Sequence, residues 1–129
     1  MILVDTSVWI AFFRGTDRKL IPHLQSLLDE DAVALGIPVK IEIMSGSSAK
    51  DLPRLSRVLS ALPVATPTDY TWARIERWVE IGIGAGERFG FADLLIGALA
   101  AEGDMTLWSL DRDFLRLEQL GLVRLHAPA

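Results

Sequence analysis

The chain has no cysteine, only two histidines, and no long run of proline, glycine, serine or like charge. Without thiols there is neither a disulfide nor a thiolate metal site, a usage that fits a reducing compartment. His23 and His126 are too few for a histidine-rich metal centre, and they read as surface or capping residues. Any bound ion must therefore be held by carboxylates, and oxygen donors point to Mg²⁺ or Mn²⁺. No stretch of about 18 uninterrupted apolar residues occurs, and the amino terminus lacks the basic segment of a signal peptide. The expectation is a soluble, cytoplasmic protein without membrane contact, linker or disordered tail.

What is present suits one domain, residues 1–129, because half of the chain is hydrophobic and the length suffices for a single core. A net charge of −4 argues mildly against a high-affinity DNA-binding module. It does not argue against a nuclease whose acidic centre is offset by local arginines.

The first ten residues, M-I-L-V-D-T-S-V-W-I, organise the rest. A short apolar run suits a strand buried on both faces of a parallel sheet. Asp5 stands where that strand ends, and the carboxyl ends of such strands are where α/β sheets bind ligands. The alternative is that Asp5 merely caps the next helix, since Asp, Thr and Ser all cap well.

Beyond it, strand and helix alternate. Helical spacing is expected for a short element at Val8 to Phe13, then for Arg18 to Leu28, for a helix opened by Ile37-Pro38, and for Ala49 to Ser60. Thr68 caps a helix with Trp72, Ile75, Trp78 and Val79 as its apolar stripe. Gly82 to Gly90 reads as a loop, Phe91 to Glu102 and Asp113 to Leu120 as helices. Strands are expected at Ala32 to Gly36, Pro63 to Thr66, Met105 to Trp108 and Val123 to Leu125. Alternation of this kind predicts an α/β fold with a mainly parallel sheet covered by helices.

Four acids fall at successive element junctions. Asp5 ends the first strand, Glu42 lies in the first turns after the second, Asp93 opens a very apolar helix, and Asp111 follows the strand M-T-L-W. Each has an ordinary reading as a cap, turn or solvated position. Together they converge on one rim, and crowded like charges make sense mainly when a divalent cation neutralises them. Such carboxylates are the usual apparatus of phosphodiester hydrolysis by metal-activated water.

The same residues carry a resemblance. M-I-L-V-D-T-S-V-W-I, P-V-K-I-E-I-M-S-G, F-A-D-L-L-I-G-A-L-A and L-W-S-L-D-R-D-F resemble the four signatures of the PIN-domain family, specifically its VapC-type toxins. The match spans essentially the whole chain. It implies a three-layer PIN fold with a mainly parallel central sheet of four to five strands flanked by helices. It further implies a Mg²⁺- or Mn²⁺-dependent endoribonuclease, a homodimer, and an antitoxin that threads into the active-site groove. Asp5, Glu42, Asp93 and Asp111 match the family's acidic quartet as catalytic and metal-binding residues. Thr6, Ser7 and Ser109 stand beside it as supporting hydrogen-bonding groups, and Asp113 is a supporting second acid. The segment G-I-G-A-G-E before Asp93 is glycine-richer than the family pattern suggests.

Within this reading Asp5 and Asp93 hold a first ion, while Glu42 and Asp111 hold a second or its water. Arg14, Lys40, Arg88 and Arg112 are the cations nearest the acids in sequence, and they are candidate RNA contacts. Trp72 and Trp78 suit a core or dimer interface, and a hydrophobic groove near Trp9 suits an antitoxin helix. A haloacid-dehalogenase-type phosphatase would want an acid two residues after Asp5, where Ser7 stands. A phosphoacceptor receiver would want a late lysine, and none follows Lys50. The remaining rival is a catalytically silent PIN-like module that only binds antitoxin or RNA.

Overall fold

The computed structural model describes residues 1–128. Four strands, β1 (Ile2–Val4), β2 (Val33–Gly36), β3 (Val64–Ala65) and β4 (Thr106–Trp108), form a sheet in the order β3-β2-β1-β4. Every pairing is parallel, with Ile2 opposite both Val33 and Thr106. Successive strand side chains point to opposite faces. Leu3, Val4, Val33, Ala34, Leu35, Leu107 and Trp108 are nonetheless all buried, so helices cover the sheet on both sides. This is the three-layer α/β arrangement expected.

Seven helices do the covering: α1 (Thr6–Arg14), α2 (Leu20–Asp29), α3 (Ile37–Ser45), α4 (Leu52–Ser60), α5 (Asp69–Gly84), α6 (Phe91–Glu102) and α7 (Asp113–Gln119). Pro22 falls in the first turn of α2, where its missing N–H costs nothing, and this explains why that helix starts at Leu20 rather than Arg18. A capping box between Thr68 and Thr71 opens α5. The buried run from Leu94 to Ala100 makes α6 the central helix, apolar all round. It lies so close to α5 that a Cβ on Gly97 would stand 3.2 Å from the Trp78 ring and 3.3 Å from Val123.

Two expectations needed correction. The helix before Asp93 runs on through Gly82 to Gly84, because Gly82 packs against the Phe89 ring and accepts the Glu87 N–H at 2.8 Å. The strand expected at Val123 to Leu125 contracts to one parallel bridge between Leu107 and Leu125. Its backbone bonds to β4 are Leu107 N–H to Arg124 C=O and His126 N–H to Leu107 C=O, at 2.9 and 2.8 Å, and Leu125 N–H also donates to Glu118 Oε2 at 2.8 Å.

The sheet order settles where chemistry can happen. β1 is central, and the segments leaving β1, β2 and β4 emerge at the same carboxyl edge. No helix among the described residues is long and apolar enough to cross a membrane.

Candidate functional site

Asp5 sits at the N-cap position of α1, yet its carboxylate makes no capping bond. Instead, Oδ2 accepts the Ser7 hydroxyl at 3.0 Å and the Ser109 hydroxyl at 2.7 Å. The residue is only 6% exposed. A buried carboxylate is costly unless it is paired or hydrogen-bonded, and these two hydroxyls supply that compensation. The cap reading thus describes the backbone of Asp5 and leaves its side chain for other work.

From Ser109 a chain of bonds runs into the next acids. Asp111 N–H donates to Ser109 Oγ at 3.0 Å, and Asp113 N–H donates to Asp111 Oδ1 at 2.9 Å. Leu110 N–H donates to Ser7 Oγ at 3.0 Å, which closes the turn after β4 over the start of α1. The turn-residue reading of Asp111 is therefore half right, since one oxygen shapes the turn while the carboxylate still faces its neighbours. Asp93, Asp111 and Asp113 each offer an oxygen within 4.8 Å of the others.

Electrostatics follow the geometry. Loss of hydration, then the charges of Asp111, Asp113 and Asp5, raise the Asp93 carboxyl from its ordinary 3.8 to about 6, with Arg116 pulling the other way. Glu42 is also raised, first by burial of its carboxyl end and then by Asp5. The Thr6 hydroxyl offsets part of that rise, although it is buried without a hydrogen bond of full geometry. Asp5 is therefore the common neighbour of Glu42 on α3 and Asp93 on α6.

All four sequence-derived acids meet at one rim, but their grouping differs from the expectation. The tightest set of oxygens joins Asp93 to Asp111 and Asp113, with Asp5 near Asp93 and Glu42 in turn near Asp5. Oδ2 of Asp5 is engaged by two hydroxyls, while Asp113, the first residue of α7, offers an oxygen to the set with Asp93. Three carboxylate oxygens at this spacing form an all-oxygen donor set, the chemistry a hard divalent cation requires. Burial first, and then the neighbouring acids, raise the Asp93 carboxyl to about 6, and a bound cation would relieve the repulsive part of that rise.

The cations are less well placed by sequence. Arg14 shares a cavity of about 420 Å³ with Glu42, Lys40 precedes Glu42 by two residues on α3, Arg88 is exposed in the loop before α6, and Arg112 caps α7. None of these four acts on Asp93; Arg116 does, and its one local signal is the i,i+3 spacing from Asp113 on α7.

The aromatic readings divide. Trp78 is core, 3% exposed, whereas Trp72 is 41% exposed and faces Phe91 across 6.2 Å. Trp9 is fully buried and lines no groove; the wall beside it belongs to Ile10 and Phe13. His23 and His126 are neither capping residues nor isolated. Their Nε2 atoms lie 2.8 Å apart in rings only 7° from parallel, with centroids at 5.1 Å, so they meet edge to edge in one N–H···N bond. Both rings pack on Trp108, the residue before Ser109.

The family model for the PIN domain matches residues 2–120. The chain belongs to the PIN-domain family. This PIN domain is 32% identical over 119 residues to ribonuclease VapC11 of Mycobacterium tuberculosis, covering 88% of this chain and 89% of the relative. The VapC ribonuclease Mb1587 of Mycobacterium bovis matches to the same extent. Among solved structures, FitAcB from Neisseria gonorrhoeae superposes with a TM-score of 0.80 at 20% identity, covering 99% of this chain and 98% of that one. VapBC2 from Rickettsia felis, bound to a fragment of its promoter DNA, gives 0.76 at 17% identity, covering 98% of each chain. At such low identity these two structures bear on the fold alone, and they agree with the parallel sheet and its helical cover.

Proposed function

We propose that this PIN domain is the toxin of a toxin–antitoxin pair, a cytoplasmic endoribonuclease that depends on a divalent cation, Mg²⁺ or Mn²⁺. One observation carries the reading. A buried aspartate at the end of the central strand is clasped by two serines beside three carboxylates within ligand distance, in a chain whose relatives are named ribonucleases.

Asp93, Asp111 and Asp113 would hold the ion, with Asp5 and Glu42 as the adjoining acids. When bound, a divalent cation supplies Lewis acidity towards a phosphodiester and a nucleophilic water at neutral pH. The rest is the work of the chain. Ser7 and Ser109 keep Asp5 in one rotamer, and Oδ1 receives no hydrogen bond among the described residues. Thr6 stands by Glu42 and favours its ionised form. Arg14, Lys40, Arg88 and Arg112 are proposed to meet RNA phosphates, where planar guanidinium groups give two-point contacts.

The antitoxin is proposed to lie in the groove between α1 and α4, walled by α2 at one end and α3 at the other. Its cavities share Phe13 and Arg54 and continue to Glu42, so an occupant reaches the acidic rim directly. Homodimerisation is proposed through α5, whose Val79, Ile81 and Ile83 are exposed.

Cleavage of total RNA by antitoxin-free protein, with Mg²⁺, with EDTA, and with Asp5→Asn, tests the proposal. Discrete products that vanish in both controls are expected. A folded wild type that binds metal and cuts no RNA would reduce this protein to a silent module that binds antitoxin or RNA.

A further inference from the structure

Three acids approach within ligand distance at this rim although they come from two separate segments. Asp93 follows the loop after α5, while Asp111 and Asp113 introduce α7. Like charges this close push their carriers apart, so something must hold the segments together when no cation does. The hydrogen bonds that Ser109 Oγ and Asp111 Oδ1 accept from Asp111 N–H and Asp113 N–H fix only the second segment.

Arg116 spans the gap. On α7, its Nη1 donates to Glu87 Oε2 at 2.7 Å, and its Nη2 lies 3.4 Å from Asp113 Oδ1. Its guanidinium also covers the Phe89 ring at 5.2 Å. Glu87 and Phe89 belong to the loop that ends at Gly90, and the Asp93 carboxylate lies 3.9 Å from where a Cβ of Gly90 would be. The inner side of this loop is already tied down, by Glu87 N–H on Gly82 and by Phe89 against Gly82. One side chain thus grips the segment that delivers Asp93 and the residue that begins α7.

We propose that Arg116 is the positioning residue of the acidic centre, a brace that keeps Asp113 and the 85–90 loop in register so that three carboxylates remain at ion-binding distance. The proposal rests on the metal-site reading above and adds a residue to it. A guanidinium suits the task because its planar fork engages two acids and an aromatic face at once, which a lysine ammonium cannot do. The glycine-rich stretch before Asp93 then carries an anchored wall.

A simple charge effect and a brace predict opposite signs. If Arg116 acted only through its field, removing it would leave the acids more negative and cations would bind more tightly. If it positions them, Arg116→Gln weakens Mn²⁺ binding by about tenfold or more, as loss of an orienting partner does at metal sites. Mn²⁺ affinity of RNA-free protein, measured by electron paramagnetic resonance, separates the two. Arg116→Lys keeps the charge and loses the fork, so it too is expected to bind Mn²⁺ weakly. Glu87→Gln, which leaves Arg116 in place, is expected to act in the same direction and guards against a folding defect in the arginine variants. Trypsin nicking after Arg88 gives an independent reading of the loop and should accelerate in Arg116→Gln. Unchanged or tighter Mn²⁺ binding, or an unchanged rate at Arg88, overturns the brace. Should wild-type protein cut no RNA while Mn²⁺ affinity drops in the variants, the nuclease reading fails and the brace stands.

Discussion

Ser109 Oγ donates to Asp5 Oδ2 across 2.7 Å, joining residues 104 positions apart and closing the central strand onto its neighbour. The backbone repeats the link, since Asp5 N–H donates to Trp108 C=O at 2.9 Å. A hydrogen bond to a part-buried carboxylate is worth more than a neutral one, on the order of 1.5–3 kcal/mol. Ser7 retains a share of that load. Ser109→Ala is accordingly expected to cost about 1–2 kcal/mol in urea unfolding, and to lower RNA cleavage by about 10- to 100-fold. A variant with wild-type cleavage would remove Ser109 from the site.

Asp93 gives a pH signature. Its folded pKa of about 6 lies above its ordinary 3.8, so the folded protein binds more protons than the unfolded chain between those values. Its contribution to stability is fully present below about pH 4 and is lost as pH rises through about 6. Metal-free protein should therefore show a falling contribution across that window, and Asp93→Asn should flatten it. Saturating Mg²⁺ should flatten it as well, because a bound cation favours the ionised form. Thermal melts with and without EDTA make the measurement, and a slope identical in Asp93→Asn would sink the assignment.

The histidine pair tilts the other way. Burial first, and His23 second, lower the His126 pKa from 6.5. The stability that His126 contributes is present above that ordinary value and disappears as pH falls through the lowered one. Two protonated imidazoles also cannot share one N–H···N bond. In an Asp93→Asn background, which removes the opposing slope, acidification should destabilise wild-type histidines more than His126→Ala.

Local pattern made much of this molecule legible. The apolar runs before Asp5, Gly36 and Ser109 are strands because both sheet faces are covered; Asp5, Glu42 and Asp111 follow the carboxyl ends of three strands, while Asp93 lies in the first turn of α6. What escaped was tertiary. Arg116 reaches Glu87, 29 residues away, and His23 meets His126 at a separation of 103; neither spacing has a period to read. Helix α5 outran its glycines because Phe89 fills the space that Gly82 leaves, which depends on a later segment of chain. Asp113 gained its place among the clustered carboxylates from the turn geometry set by Asp111, a matter of a few ångströms that composition does not encode.

The strand order has a consequence for synthesis. β1 lies between β2 and β4, so the first strand made keeps one edge open until residues 106–108 follow. Chains emerge from the ribosome amino end first. Asp5 and Glu42 are therefore made well before the other three carboxylates, and the five can stand together only once β4 and the start of α7 follow β1, β2 and α6 into place.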